Sequence, residues 1–414
     1  MKGTKKNKIV REEGITLIAL VITVVILIIL ATVTLNAVLG EGGLIQRAQQ
    51  AKELTEQAAL EEQQGLNSLM SEFTNIMSEE QNPPEEKSEV EEAKESGTKF
   101  DETTKLTDDS ENEVWIPGGF EIDEESATDT DEGIVITDGI NEFVWIPVAD
   151  YTTMYQEAPG TKLTGVETTT DVYSKLRIRS GDRYTAGVPN STNLREPDLL
   201  SSYDMDEKYY KDILGYNSPT EMAEAFVEEY EATYNSIKKY KGFYIGRYEL
   251  TGSLESSTVQ KNQMVLTNQN WYNLKKACSN VVSSEYAQTT MVYGNQWDEI
   301  MSWLIATGEK TEEQVNKNSE DWGNYYDITG AATDSGNLQT SGKNEAWKSN
   351  NIYDLAGNYV EWTQEVADKR IRRGGFYWDL SVINNPASDR DNTPPYFSNY
   401  SDNRMSSRPA LYIK

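Results

Sequence analysis

From Ile15 to Leu35 the chain carries no charged residue and is rich in Ile, Leu and Val. As a helix rising 1.5 Å per residue this run would be about 31 Å long, the thickness of a bilayer's hydrocarbon core, and the pattern predicts a membrane-crossing helix. After Gly40, Gly42 and Gly43 helix-forming residues resume from Leu44 to Met77. There Leu66, Leu69, Met70, Phe73, Ile76 and Met77 recur at spacings of three and four, so they share one face of an amphipathic stalk helix. Residues 78–113, running through Asn82-Pro83-Pro84-Glu85-Glu86 into Glu, Lys, Ser, Thr and Asp, offer almost nothing apolar to bury and predict a disordered, charge-extended linker.

The pattern changes at Val114. Val114-Trp115-Ile116-Pro117 and Phe143-Val144-Trp145-Ile146-Pro147 are short apolar runs, and between them Gly133-Ile134-Val135-Ile136-Thr137-Asp138-Gly139 sets a β-branched run between turn residues. All three predict strands. Residues 151–240 read as a polar insertion that ends in a helix. Ser218 supplies an N-cap, Pro219 the first helical position and Glu221 a capping-box carboxylate, while Met222, Phe226, Tyr230 and Tyr234 form an apolar stripe destined for the core. Lys241 to Thr251 then reads as an alternating aromatic strand.

Composition sharpens this division. All nine tryptophans and all 24 tyrosines lie after residue 114, so a large core can form only in the C-terminal three hundred residues. The formal charge of -30 argues against a nucleic-acid partner, because phosphate binding needs clustered Lys and Arg. One cysteine, Cys278, rules out an intramolecular disulfide framework. The absence of histidine removes serine-histidine and cysteine-histidine nucleophiles and every histidine-ligated metal site. Lys2, Lys5, Lys6, Lys8 and Arg11 precede the apolar run, and the positive-inside preference keeps that end cytoplasmic and the body of the chain outside.

The junction Glu12-Glu13-Gly14-Ile15-Thr16-Leu17-Ile18-Ala19-Leu20 resembles the type IV prepilin leader. The resemblance implies a leader of residues 1–14, cleavage between Gly14 and Ile15, and methylation of Ile15. Ala19 stands where that family usually has glutamate. The departure favours a minor pilin, a pseudopilin or a simple anchor over a filament subunit, with sister pilin subunits as partners through the helix over 15–77.

In the head, Gly242-Phe243-Tyr244-Ile245-Gly246-Arg247-Tyr248-Glu249, Gln296-Trp297-Asp298, Asp354-Leu355-Ala356-Gly357-Asn358-Tyr359-Val360-Glu361-Trp362, Arg373-Gly374-Gly375 and Arg408-Pro409-Ala410 follow one another. Taken in order they resemble the formylglycine-generating enzyme, or sulfatase-modifying factor, family over 114–414. The resemblance implies an α+β chain: an N-terminal long transmembrane helix plus an irregular globular domain of the C-type-lectin-like kind. Formylglycine formation in that family relies on a C-terminal cysteine pair that binds copper, and no cysteine follows Cys278; a related iron-dependent branch needs histidine. The expectation is therefore a non-enzymatic head that requires no cofactor. The family also binds a structural calcium, which implies Gly357, Asn358, Tyr359 and Glu361 as ligands. The other reading is that Asn358 fills a left-handed turn and Glu361 pairs with an arginine such as Arg373.

Residues 377–404 are dense in Tyr, Asn, Ser and Asp, the palette of adaptable binding surfaces. They also resemble the variable tails of lectin-fold proteins diversified by retroelements. The expected contact residues are Tyr377, Trp378, Asp379, Asp389, Asp391, Tyr396, Phe397 and Tyr400, and the expected partner is an external protein or glycan. Together these readings describe a display protein on the surface of a Gram-positive cell, used in adhesion or recognition. Two alternatives stay open: an enzyme of the same superfamily with other chemistry, and a structural minor pilin or pseudopilin.

Overall fold

A computed structural model describes residues 17–39, 52, 87–154, 200–325, 337–367, 369–375, 377, 386–391 and 399–414. The chain divides into two compact units, Met1–Glu86 and Lys87–Lys414. In the first, α1 spans Leu17–Leu39. Among the described residues no helix is long and apolar enough to cross a membrane. The expected N-terminal transmembrane helix is corrected accordingly, and the described fold is mixed α and β with sheets. The leader junction at Gly14 and Ile15 and the stalk face from Leu66 to Met77 lie outside the described residues.

The second unit begins earlier than the composition predicts. Residues expected to be part of a disordered linker form α2 (Glu89–Ser96) and β1 (Thr104–Thr107). Ser88 caps α2 by accepting from the Glu91 N–H, and Gly97 ends it at φ +58° with its N–H on the Ala93 and Lys94 carbonyls. Val90 and Ala93, three residues apart, are buried, and Leu106 with them. Three well-placed apolar residues are enough to dock a segment whose average composition is that of a tether.

Strand β1 pairs antiparallel with β2 (Glu113–Ile116). The main sheet is built from β3 (Glu121–Ile122), β4 (Val135–Thr137), β5 (Glu142–Pro147), β6 (Gly242–Gly246), β9 (Ala287–Met291) and β15 (Pro409–Ile413), in the order β3-β4-β5-β6-β15-β9. Side chains alternate across its faces. Val135, Val144, Ile146, Phe243, Ile245, Met291 and Ala410 enter one core cluster. Ile134, Ile136, Phe143, Trp145, Tyr244, Leu411 and Ile413 enter the other. Because apolar layers cover both faces, β6 is buried along its whole length, where the sequence pattern suggests one face only.

Helix α3 (Pro219–Tyr240) starts as the sequence predicts: the Ser218 side chain accepts from the Glu221 N–H, and Pro219 opens the first turn. The Glu221 carboxylate reaches one residue further back, to the N–H of Asn217 at 2.8 Å. Met222, Phe226, Tyr230 and Tyr234 are buried in the first cluster beside α4 (Trp271–Ser279) and α5 (Gly294–Ala306). Beyond α5 comes the single turn of α6 (Glu312–Asn316). Two small hairpins, β7 (Thr251–Gly252) with β8 (Ser257–Thr258) and β10 (Lys348–Ser349) with β11 (Ile352–Tyr353), carry the connections. A second sheet joins β12 (Val360–Ala367) to β13 (Lys369–Arg373), antiparallel, and to β14 (Met405–Ser407), parallel. This second sheet holds the described parts of the C-terminal tail.

Candidate binding site

Consecutive strand residues point to opposite faces, so Arg372 and Arg373 of β13 reach in different directions. Arg372 pairs with the Asp391 carboxylate, and the two backbones exchange hydrogen bonds at 3.1 and 3.0 Å. Arg373 reaches Asp298 of α5 at 2.5 Å and Glu365 of β12 at 2.9 Å. Arg390 closes the lattice with Glu365 at 3.0 Å and with Asp298. Two carboxylates and two guanidiniums thus neutralise one another where water is excluded. Burial alone would raise Glu365, but Arg390 and Arg373 beside it hold its carboxyl below the ordinary range. Helix α5 can approach this closely because its first residue is Gly294, where a Cβ would sit 2.3 Å from Glu365 Oε2.

The predicted contact residues fare differently within this frame. Asp389 is 4% exposed, and burial, with Asp391 nearby, pushes its carboxyl up to about 6. Asp391 is held by Arg372. Asp391 therefore anchors the segment 386–391, and Asp389 is buried within it. Tyr377 is half-buried, and its N–H donates to the Asn358 carbonyl at 3.2 Å. Tyr400, also half-buried, donates its hydroxyl to Asp402 at 3.2 Å. Asp402 in turn accepts from the Arg404 side chain at 2.7 Å, with its carboxyl held low chiefly by that bond. Trp378, Asp379, Tyr396 and Phe397 lie outside the described residues.

The Gly357-to-Glu361 phrase is organised around an arginine. Gly357 (φ +69°) brings the chain so near that a Cβ would stand 2.2 Å from the Asn324 carbonyl oxygen, and Asn358 takes the left-handed conformation at φ +58°. Asn358 Oδ1 accepts from Asn324 Nδ2 at 3.0 Å and from the Gln339 N–H at 3.1 Å, while its Nδ2 donates to Glu249 at 2.9 Å. Both Glu361 oxygens accept from Arg408, the shortest contact being 2.8 Å. Arg408 also donates to the carbonyls of Gly246 at 2.9 Å and Tyr353 at 2.8 Å, tying β6, β11 and β12 together.

These residues do not fit a calcium ion. The carboxylate such a site would need is occupied by a guanidinium, and the Asn358 oxygen already has two donors. Among the described residues no group of three or more acidic, histidine or cysteine side chains is arranged to hold a metal. Glu361 stands opposite Arg373 across the β12–β13 ladder, but its ion pair is with Arg408.

Glu249, Asp354 and Glu361 are all fully buried around Arg408, their one shared cation. Burial, then Asp354 and Glu361, drives Glu249 well above the ordinary carboxyl range. Burial likewise pushes Asp354 up to about 7 and raises Glu361. With one guanidinium for three buried carboxyls, all three shifts run upward, toward the protonated form.

Cys278 is buried, 3.6 Å from Ser407 Oγ, and burial pushes its thiol up to about 12, which leaves it without the thiolate character that reactivity needs. Two polar centres escape a reading of the sequence. One is the Arg390–Asp298 pairing just described. The other is Glu229 of α3, which accepts from Lys275 at 2.8 Å, Thr290 at 2.6 Å, Tyr293 at 2.9 Å and Gln364 at 2.9 Å. Glu229 sits on the same helix as the apolar stripe, one residue before Tyr230 and three after Phe226, and that placement toward the core is the available signal.

No family model matches the chain, and no curated protein matches it. Among solved structures the chain is similar to Treponema denticola variable protein 1, at 14% identity and a TM-score of 0.27, over 42% of this chain and 85% of that one.

Proposed function

We propose that the unit from Lys87 to Lys414 is a recognition head that binds an external protein or glycan through its C-terminal tail and does not carry out formylglycine chemistry. The observation that carries this reading is the anchoring of the tail. Residues 386–391 and Arg408 are pinned by buried arginine–carboxylate pairs, and the half-buried Tyr377 and Tyr400 stand at the edges of this pinned frame. Rigid attachment points on either side of aromatic, Asn- and Ser-rich sequence reduce the ordering cost of binding. The prepilin-like junction at Gly14 and Ile15 supports delivery of that head to the outside of the cell.

Aspartates 389 and 391 are removed from the contact set, because Asp389 is buried and Asp391 is paired with Arg372. Tyr377, Trp378, Tyr396, Phe397 and Tyr400 remain. The test is a glycan and surface-protein array probed with the full chain and with a Tyr377→Ala/Tyr396→Ala/Tyr400→Ala variant. A loss of at least tenfold in every positive signal is expected, whereas a variant that binds as the parent does would end the reading. Incubation of a cysteine-bearing sulfatase peptide with the chain and copper is expected to give no formylglycine mass shift; a shift would establish the enzymatic alternative.

A further inference from the structure

The hairpin of β1 and β2 turns Leu106, Val114 and Ile116 inward and leaves Lys105, Glu113 and Trp115 on its outer face. Trp115 is half-buried there, and the ladder sets the exposed Lys105 directly opposite it. The indole meets the ring of Tyr240, the last residue of α3, edge-on with centroids 5.2 Å apart. The Lys239 ammonium lies 4.4 Å over that same ring and 2.6 Å from its hydroxyl, which donates to the Lys414 carbonyl at 2.9 Å. Lys241, the next residue along the chain, is exposed. After Lys105, it helps to hold the Glu113 carboxyl low, which places it beside the same hairpin.

The lysines are the unusual part of this patch, because the chain carries 68 acidic side chains against 38 basic ones. Lys105 is taken by Glu113 at 2.9 Å, whereas among the described residues no carboxylate forms an ion pair with Lys239 or Lys241. Basic residues in the last turn of a helix answer its dipole, and that accounts for part of the value of Lys238 and Lys239. It does not account for Lys241, which stands past the helix end in the left-handed conformation at φ +57°, where glycine is the usual residue. The backbone would be easier with glycine at that point, so the lysine side chain has a use of its own. A half-buried indole bordered by two ammoniums without carboxylates asks for a ligand with an apolar face and an acid group.

We propose that Trp115, Lys239 and Lys241 form a binding site for an acidic sugar, a hexuronic or sialic acid unit of an external glycan. The apolar face of the sugar ring lies on the outer part of the indole, and the two ammoniums meet its carboxylate. A neutral sugar would leave both cations without a partner, and a small carboxylate would leave the indole uncovered, so the pairing selects the acid sugar. Lysine suits this task, since its ammonium carries rotatable donors on a flexible stem and can follow a carboxylate from one sugar to the next.

The formal charge of -30 opposes an acidic ligand at long range. At physiological salt charges act over about 8 Å, so the lysines beside the indole decide the local field. The site stands apart from the tail: none of its residues falls within 377–404, and it holds whether or not the tail binds a ligand.

The experiment is ligand-detected NMR titration of the full chain with methyl β-D-glucuronide, methyl β-D-glucoside and acetate. Millimolar binding of the glucuronide is expected, with the glucoside and acetate each at least tenfold weaker and with glucuronide affinity falling as salt is raised. Trp115→Ala should weaken glucuronide binding at least tenfold; should it not fold, Trp115→Phe is expected to cost several-fold. Lys241→Gly should weaken binding several-fold while raising the urea midpoint, a combination that a purely structural lysine would not give. Glucoside or acetate bound as tightly as the glucuronide, binding of none of the three, or parental affinity in Lys241→Gly would overturn the proposal. The tyrosine variant of the tail is expected to bind the glucuronide unchanged, so a failure here and a failure of the tail reading are separate results.

Discussion

Two buried ionic clusters lie within the same unit and are built on opposite principles. Around Arg390 and Arg373, two guanidiniums face two carboxylates, Asp298 and Glu365, and the charges cancel. Around Arg408, a single guanidinium faces Glu249, Asp354 and Glu361, all fully buried. In the first cluster Glu365 is held below its ordinary pKa; in the second all three acids are raised. The difference teaches that burial by itself does not set the direction of a carboxyl's shift. The cations and hydrogen-bond donors within reach decide it together with burial. It also separates two roles, since the neutral lattice fixes a tail segment to α5 and β12, whereas the acid-rich cluster sits at the junction of three strands.

The comparison breaks most easily at Arg408. Arg408→Met would leave three buried acids without a cation and two strand carbonyls without a donor. An expected loss of about 3–5 kcal/mol in urea unfolding follows from stranding buried charge. A loss under about 1 kcal/mol would mean that protons already neutralise the cluster and that Arg408 is dispensable. Arg390→Ala should cost less, about 2–3 kcal/mol, because Arg373 continues to serve both Asp298 and Glu365. Its effect should also be local, with faster amide exchange at 386–391 and little change in β6 or β15.

A third variant sharpens the comparison by its sign. Asp389 is raised to about 6 in the folded chain, so between the unfolded value of 3.8 and pH 6 the native state binds more protons than the unfolded one. The stability this group contributes is fully present below about pH 4 and is lost as pH rises through 6. Asp389→Asn should remove that slope and make the chain more stable at pH 7, by about 2 kcal/mol, because each tenfold change in proton affinity is worth about 1.4 kcal/mol and the site relaxes in part. Thermal midpoints of parent and variant at pH 4.5 and 7 decide it; a variant less stable at pH 7 would show that the ionised carboxylate is needed where it sits.

How far the sequence announces these features depends on whether their partners are near in the chain. Strands β2, β5 and β6 are legible because β-branched and aromatic runs stop at turn residues, and α3 because Ser218 and Pro219 mark its start. Helix α2 is not, because Val90 and Ala93 are two apolar residues among many charged ones, and averaging hides their spacing. Arg408 is visible as part of a late Arg-Pro-Ala phrase, but its partner Glu361 lies 47 residues earlier, and only the parallel pairing of β12 with β14 brings them together. For the same reason Asp391 reads as an exposed binding residue: nothing local to it shows that Arg372 waits on an adjacent strand. The apolar run at the N-terminus illustrates the opposite limit. Hydropathy predicts a transmembrane helix there, whereas among the described residues no helix is long and apolar enough to cross a membrane.

The smallest effect is expected where an ion pair is as close as Arg373–Glu365 of the buried lattice but lies in water. Lys105 and Glu113 meet at 2.9 Å across the β1–β2 ladder, with both side chains 46% exposed. Distance alone would rank this pair with Arg373–Glu365, also at 2.9 Å. Solvent screening and the freedom of two long side chains remove most of its value, so Lys105→Ala should leave the unfolding midpoint where it was. The double change with Glu113→Ala should show no coupling, and molar salt should make no difference. Arg373→Ala measured alongside should shift the midpoint clearly. If instead the exposed pair proved as costly to break as the buried one, the distinction between neutralised and surplus buried charge would give way to a simpler rule, in which contact distance alone sets the strength of every pair in the head.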